Sequence, residues 1–177
     1  MNHLEPIALF ILQFLWFLFA WSLITYFVLW PRSATLSPDV RLSVWVAPEM
    51  FRVLGVGLLV PNLSPGMPPE FATTTAAADL LTAVMAACAF VGLQQGWGAA
   101  RGLAWACTLV GSLDILIAFP HAASTGAITH LATQWYVPAF AGPPLVICHV
   151  VCLILLVGGR SGEYHGDMRA ERSRDGQ

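Results

Sequence analysis

Apolar residues run in long blocks along this chain, and polar positions interrupt them at few places. Ile7 to Trp30 is uninterrupted by charge, which predicts a helix long enough to cross a bilayer, about 20 apolar residues being required. A cleaved signal peptide fits less well: no Arg or Lys precedes the block, the block is too long, and no small-residue cleavage site follows. Trp30, Pro31 and Arg32 read as an interfacial stop, with an aromatic anchor, a helix breaker and a charge in succession. Three further blocks predict spans over residues 72–94, 101–120 and 135–157. The first two of these are joined by a short link around Gly96–Gly98 and form an antiparallel hairpin. Pro138, Pro143 and Pro144 predict an irregular entry to the last.

The segment 42–61 is ambiguous. It has spanning length, but Pro48, Glu49 and Arg52 sit near its middle, and each central charge costs about 2.5–3.5 kcal/mol on insertion. Pro48 suits a helix start, with Glu49 in its first turn and Arg52 one turn on, able to pair with Glu49. The expectation is therefore a short helix over about 48–60, either re-entrant, interfacial or the second half of a broken fifth span. Four prolines make residues 61–71 an ordered, non-helical loop, and His121 to Gln134 reads as a small, polar loop with a helical turn or two.

The fold class expected is all-α, a polytopic integral membrane bundle of four regular transmembrane helices plus that short helix. Residues 1–158 form one transmembrane domain, and residues 159–177 a polar, disordered, cytoplasmic tail. Composition agrees: 57% of the residues are hydrophobic and 10% charged, where a soluble domain carries about 25%. A net charge of −2 gives nucleic acid no basic surface. All eight basic residues are Arg. Arg160, Arg169, Arg172 and Arg174 place the C-terminus in the cytoplasm, in a membrane taken to be a bacterial inner membrane, and Arg101 places the hairpin link there too. Arg32 and Arg41 join that side only if segment 42–61 spans, so the charge rule favours five spans while Pro48, Glu49 and Arg52 argue for four. The four cysteines, Cys88, Cys107, Cys148 and Cys152, all lie in apolar segments, where cysteine packs as a small hydrophobe.

Two carboxylates remain to be explained. Ala100, Ala104, Cys107, Gly111, Asp114, Ala118 and His121 share one helical stripe, and its apolar members are small, which lets helices approach closely in lipid. Asp79 lies on a similar face with Ala72, Thr75, Ala76, Thr82, Ala83 and Ala86. Measured from the hairpin at 1.5 Å per residue, Asp79 stands about 24 Å along its helix and Asp114 about 20 Å; His149, counted back from Gly159, stands about 15 Å from the same side. The candidate polar, ligand or proton site is thus Asp79, Asp114 and His121, with His149, Glu49 and Arg52 as neighbours and His130 in the adjoining loop. Buried ionisable groups are costly in a bilayer and point to function, although an aspartate pinning two helices is an equal reading. If the two aspartates meet, repulsion and burial would keep one of them protonated. No motif supplies a catalytic residue, a metal site or a cofactor.

Three functions follow in order. The first is a non-catalytic module that binds a small-molecule ligand or a membrane-protein partner, with lipid around it and homo-oligomerisation open. The second is a proton- or ion-coupled carrier of a small solute using Asp79 and Asp114. The third is an enzyme on a lipid-soluble substrate, with a carboxylate and His121 or His130 as acid and base.

Overall fold

The computed structural model describes residues 5–174, with side chains through residue 158. Within those residues the ordered elements are all helical. Five helices are long and apolar enough to cross a membrane: α1 (Pro6–Ser33), α2 (Pro38–Leu59), α3 (Pro69–Gln95), α4 (Ala100–Thr125) and α5 (Ala132–Gly158). The backbone of α5 continues helical to Arg174, so the residues expected to form a tail, 159–177, fall where side chains or all atoms lie outside the described part.

Prolines mark the interior of four of the five. Pro31 has no N–H to offer the carbonyl one turn back, and the ladder of α1 widens just before it into a π turn over Thr25–Leu29, closed by Trp30 N–H donating to the Thr25 carbonyl. The helix then continues through Trp30–Ser33, past the stop expected at Trp30. The irregular entry of α5 takes the same form: a 3₁₀ turn at Ala132–Trp135, then a π turn over Val137–Ala141. Pro120 is carried inside α4, which runs on to Thr125 and ends on left-handed Gly126.

The segment 42–61 takes one of the forms expected for it, the second half of a broken fifth helix of spanning length, in addition to the four regular helices. It belongs to one continuous helix, α2, which begins at Pro38 and changes pitch at its middle. Residues Pro38–Val46 are α-helical and Ala47–Leu59 are 3₁₀. Pro48 cannot make the bond back to residue 44, and the chain tightens there. At roughly 2.0 Å per residue the 3₁₀ half alone covers about 26 Å, so the element reaches spanning length despite its charges.

The pitch has a second consequence. Stretches of 3₁₀ helix this long are uncommon, and their side chains at i and i+3 eclipse. From Glu49 to Leu58 a 3₁₀ helix completes about three turns, whereas an α-helix completes about two and a half. Glu49, Arg52, Gly55 and Leu58 therefore form one straight stripe, and they are the buried residues of this half. In α-helical geometry Leu58 would point opposite Glu49.

That stripe faces α3, which also packs along α4. The α3–α4 seam is built of small residues: Ala76, Ala83 and Ala86 on one side, Ala104, Cys107 and Gly111 on the other, all buried. Leu81 and Val84 on α3, and Leu109, Leu113 and Leu116 on α4, point outward. Helix α1 is the least buried and rests on α5 through Phe10 against Trp135 and Phe17 against Phe140, leaving Leu12, Trp16 and Phe27 exposed. Two apolar cores result. One, at the Arg101 end, is centred on Trp45, Ala89, Ala104 and Cys152. The other, at the opposite end, is centred on Phe10, Leu58, Phe71 and Leu131. Around this second end the loop after α2 is tied to the start of α5 by Thr133, whose N–H and hydroxyl both donate to the Leu63 carbonyl, at 3.2 and 2.7 Å.

Candidate functional site

Between the two cores lies a charged layer, and α2 delivers its centre. Arg52 is buried, and its guanidinium reaches every other long helix except α1. Nε and Nη2 both lie 2.8 Å from Asp79 Oδ1 on α3. Nη2 also donates to Asp114 Oδ2 on α4. Nη1 faces the Gly111 carbonyl of α4 at 3.5 Å and His149 Nε2 of α5 at 3.4 Å. Arg52 thus bridges the two aspartates expected to confront one another, and the bridge replaces the expected carboxyl–carboxylate pair with two charge-assisted contacts to one cation. A planar, forked guanidinium can serve several acceptors at once in a way an ammonium cannot.

Behind the guanidinium lies Glu49, one turn up the same stripe. It is 1% exposed and among the largest fully buried side chains described. Its Oε2 is 3.9 Å from Arg52 Nη1 and 3.1 Å from His149 Nε2. Neither contact is aligned as a hydrogen bond, and both Glu49 oxygens and His149 Nδ1 are without a hydrogen-bond partner among the described residues. The expected Glu49–Arg52 pair is therefore present but long, because Arg52 is drawn forward to the aspartates.

Two glycines make the layer fit. A Cβ on Gly55 would collide with the Asp79 carboxylate, and a Cβ on Gly111 would collide with the His149 ring. Neither was singled out as a site residue in the sequence. The i, i+3 spacing of Glu49, Arg52 and Gly55 was the available signal, visible only to a reader who expects 3₁₀ pitch.

His121 is not part of the layer: its ring lies edge-on to Phe71, 5.4 Å between centroids, at the second core. His130 lies against Gly66 in the loop after α2. Among the described residues no three His, Cys, Asp or Glu side chains are gathered as metal ligands.

The aspartates differ from Glu49 in what they face. Their side chains are 15% and 13% exposed, against 2% for Glu49. They open, with Arg52, onto a cavity of about 150 Å³ running toward the second core. Apart from Thr75 at its wall, the cavity is apolar, with Phe10, Phe14, Phe71, Ile115, Ala118 and Leu145 among its lining. A space of this size admits a body about as large as benzene. The arrangement can hold a molecule with an apolar body and a polar head, the head meeting charges already fixed by ion pairing.

Comparison with known families reaches the same stretch of chain. Residues 9–157 match the family described as Domain of unknown function (DUF8737). The chain belongs to this family. The DUF8737 match takes in the whole charged layer and the cavity, from Phe10 to His149. No curated protein and no solved structure matches the chain.

Proposed function

We propose that this DUF8737 chain is a five-span integral membrane protein whose bundle binds a small amphipathic molecule, without chemistry of its own, in the cavity beneath Arg52. The observation that carries the reading is an apolar cavity ending on the Asp79–Arg52–Asp114 cluster. A small pocket with an apolar wall and a few convergent polar groups is the usual form of a ligand site. Broken or irregular helix lining such a site, here α2 and the start of α5, is tolerated in a bilayer where it is buried in protein. On the cavity side two carboxylates share one guanidinium, so with both ionised the cluster carries one net negative charge toward the ligand. A protonated amine on an apolar body fits that balance.

The orientation follows from arginine placement. Arg32, Arg41 and Arg101 lie at one end of the bundle, with Arg101 paired to Asp39 at the start of α2. The chain of α5 returns to that end toward Arg160 and Arg169. That end is the cytoplasmic one by the positive-inside rule, with the cavity toward the outer face.

The test is to purify the protein in mild detergent and identify co-purifying small molecules by mass spectrometry, for wild type and for Ala118→Phe, which fills the cavity. An amine-bearing species retained by wild type and lost from folded Ala118→Phe supports the reading. The same species in the same ratio from both proteins overturns it. A second reading, a proton- or ion-coupled carrier of such a solute, is favoured by the acid and histidine behind Arg52. It predicts uptake into proteoliposomes that responds to a proton gradient and is lost in Asp79→Asn or Asp114→Asn.

A further inference from the structure

The cavity uses one side of Arg52. Glu49 and His149 occupy the other, and the ligand reading gives them no task. Glu49 Oε2 and His149 Nε2 are 3.1 Å apart, with both residues at most 4% exposed. A bare imidazole nitrogen and a carboxylate oxygen are both acceptors, and both Glu49 oxygens are buried without a hydrogen-bond partner among the described residues. A hydrogen placed between Oε2 and Nε2 would satisfy both atoms. Charge then decides how many protons the pair holds. Arg52 commits Nε and Nη2 to Asp79 and Asp114 and stands 3.9 Å from Glu49. The Glu49 carboxyl is thus buried beside a cation already shared by two other carboxylates, and a buried polar group without a partner of its own is costly.

We propose that Glu49 and His149 form a proton-binding site: the pair takes up one proton beyond the imidazole's own and holds it between Oε2 and Nε2. The site has two forms. In one the proton is on Glu49, which donates O–H to a bare Nε2. In the other the O–H bond has broken, the N–H bond has formed, and a carboxylate faces an imidazolium. The pair is neutral in both. It carries one negative charge once the proton leaves.

Nη1 of Arg52 reads whether the proton is present. While the pair holds it, the one lone pair of Nε2 is engaged in either form and Nη1 is left to the Gly111 carbonyl; once the proton leaves, a bare Nε2 can accept from Nη1, as the 3.4 Å approach allows. Because the same guanidinium holds Asp79 and Asp114, the proton's state is felt at the cavity. The titratable and charged groups facing the pair are Arg52 from α2, Asp79 from α3, Asp114 and Cys107 from α4, and Cys148 and Cys152 from α5.

The experiment reads the full chain in lipid bilayers, with no ligand added, so that it can fail independently of the cavity reading. Infrared difference spectra across a pH series follow protonated carboxyls. Solid-state magnetic resonance of isotope-labelled histidine follows the His149 nitrogens. The expected result is a protonated-carboxyl band that disappears in Glu49→Gln and shifts in His149→Asn, together with His149 signals that change over the same pH interval. A carboxyl band indifferent to both substitutions, or one lost in Glu49→Gln but unmoved in His149→Asn, overturns the proposal. If either variant fails to fold, the labelled wild type decides: His149 signals of a neutral imidazole at every pH, with no protonated carboxyl band, also overturn it.

Discussion

Two arginines in this protein make ion pairs of nearly equal length and opposite meaning. Arg101 Nε lies 2.9 Å from Asp39 Oδ1 at the end of the bundle, with the two side chains 43% and 49% exposed. Arg52 lies 2.8 Å from Asp79 in the interior and is 4% exposed. Water screens the first pair and offers each partner an alternative, so its net worth is small. The second has no such alternative. Forming it costs desolvation of all three charges, and breaking it strands carboxylates in an apolar layer. Distance alone therefore says little about an ion pair; burial and the number of partners decide.

The largest expected effect is that of Arg52→Ala, which leaves Asp79 and Asp114 uncompensated. It should destabilise the fold by about 3–5 kcal/mol, read from reversible unfolding in mixtures of mild and denaturing detergent. A loss no greater than that of Arg101→Ala would erase the distinction. Arg52→Lys should fall between these two, because a single ammonium cannot keep the forked contacts to Asp79, Asp114 and the Gly111 carbonyl. Equal stability of Lys and Arg at this position would mean that charge alone matters there.

Gly55→Ala should cost about 1–3 kcal/mol by overpacking, since the added methyl meets the Asp79 carboxylate. The cost should shrink when Asp79→Ala is also present, giving a coupling above roughly 0.5 kcal/mol in a double-mutant cycle. Strict additivity would show that the glycine serves something other than the aspartate. The smallest effect belongs to Arg101→Ala or Asp39→Asn, at most about 1 kcal/mol and fading as salt is added. The Arg52 variants should be indifferent to salt, and a salt dependence there would indicate that water reaches the layer.

Much of the candidate site was legible one helix at a time. Small residues around Asp79 and Asp114 marked both as facing inward, and counting from the hairpin placed them at similar heights. The same logic placed His121 on the Asp114 stripe. That placement failed to make it a neighbour of the site, because seven residues carry it about two helical turns away, beside Phe71. The role of Arg52 was less legible. Its i, i+3 relation to Glu49 suggested a local pair, and the structure instead draws Arg52 to carboxylates on two other helices. The pitch of α2 is the physical reason. Pro48 announced a break, but not that the chain would continue as a long 3₁₀ helix with Glu49, Arg52, Gly55 and Leu58 in line.

The sequence by itself determined that the chain is helical, that its helices bury small-residue faces and expose leucine-rich ones, and that two carboxylates must be accommodated inside. Those properties follow from periodicity and from the cost of stranding a charge, which act residue by residue. Only the tertiary structure decided that α2 runs as one helix from Pro38 to Leu59 with a change of pitch, that one guanidinium answers both aspartates, and that Glu49 is left with His149. These depend on how four helices converge on a single point, and no local spacing encodes that convergence.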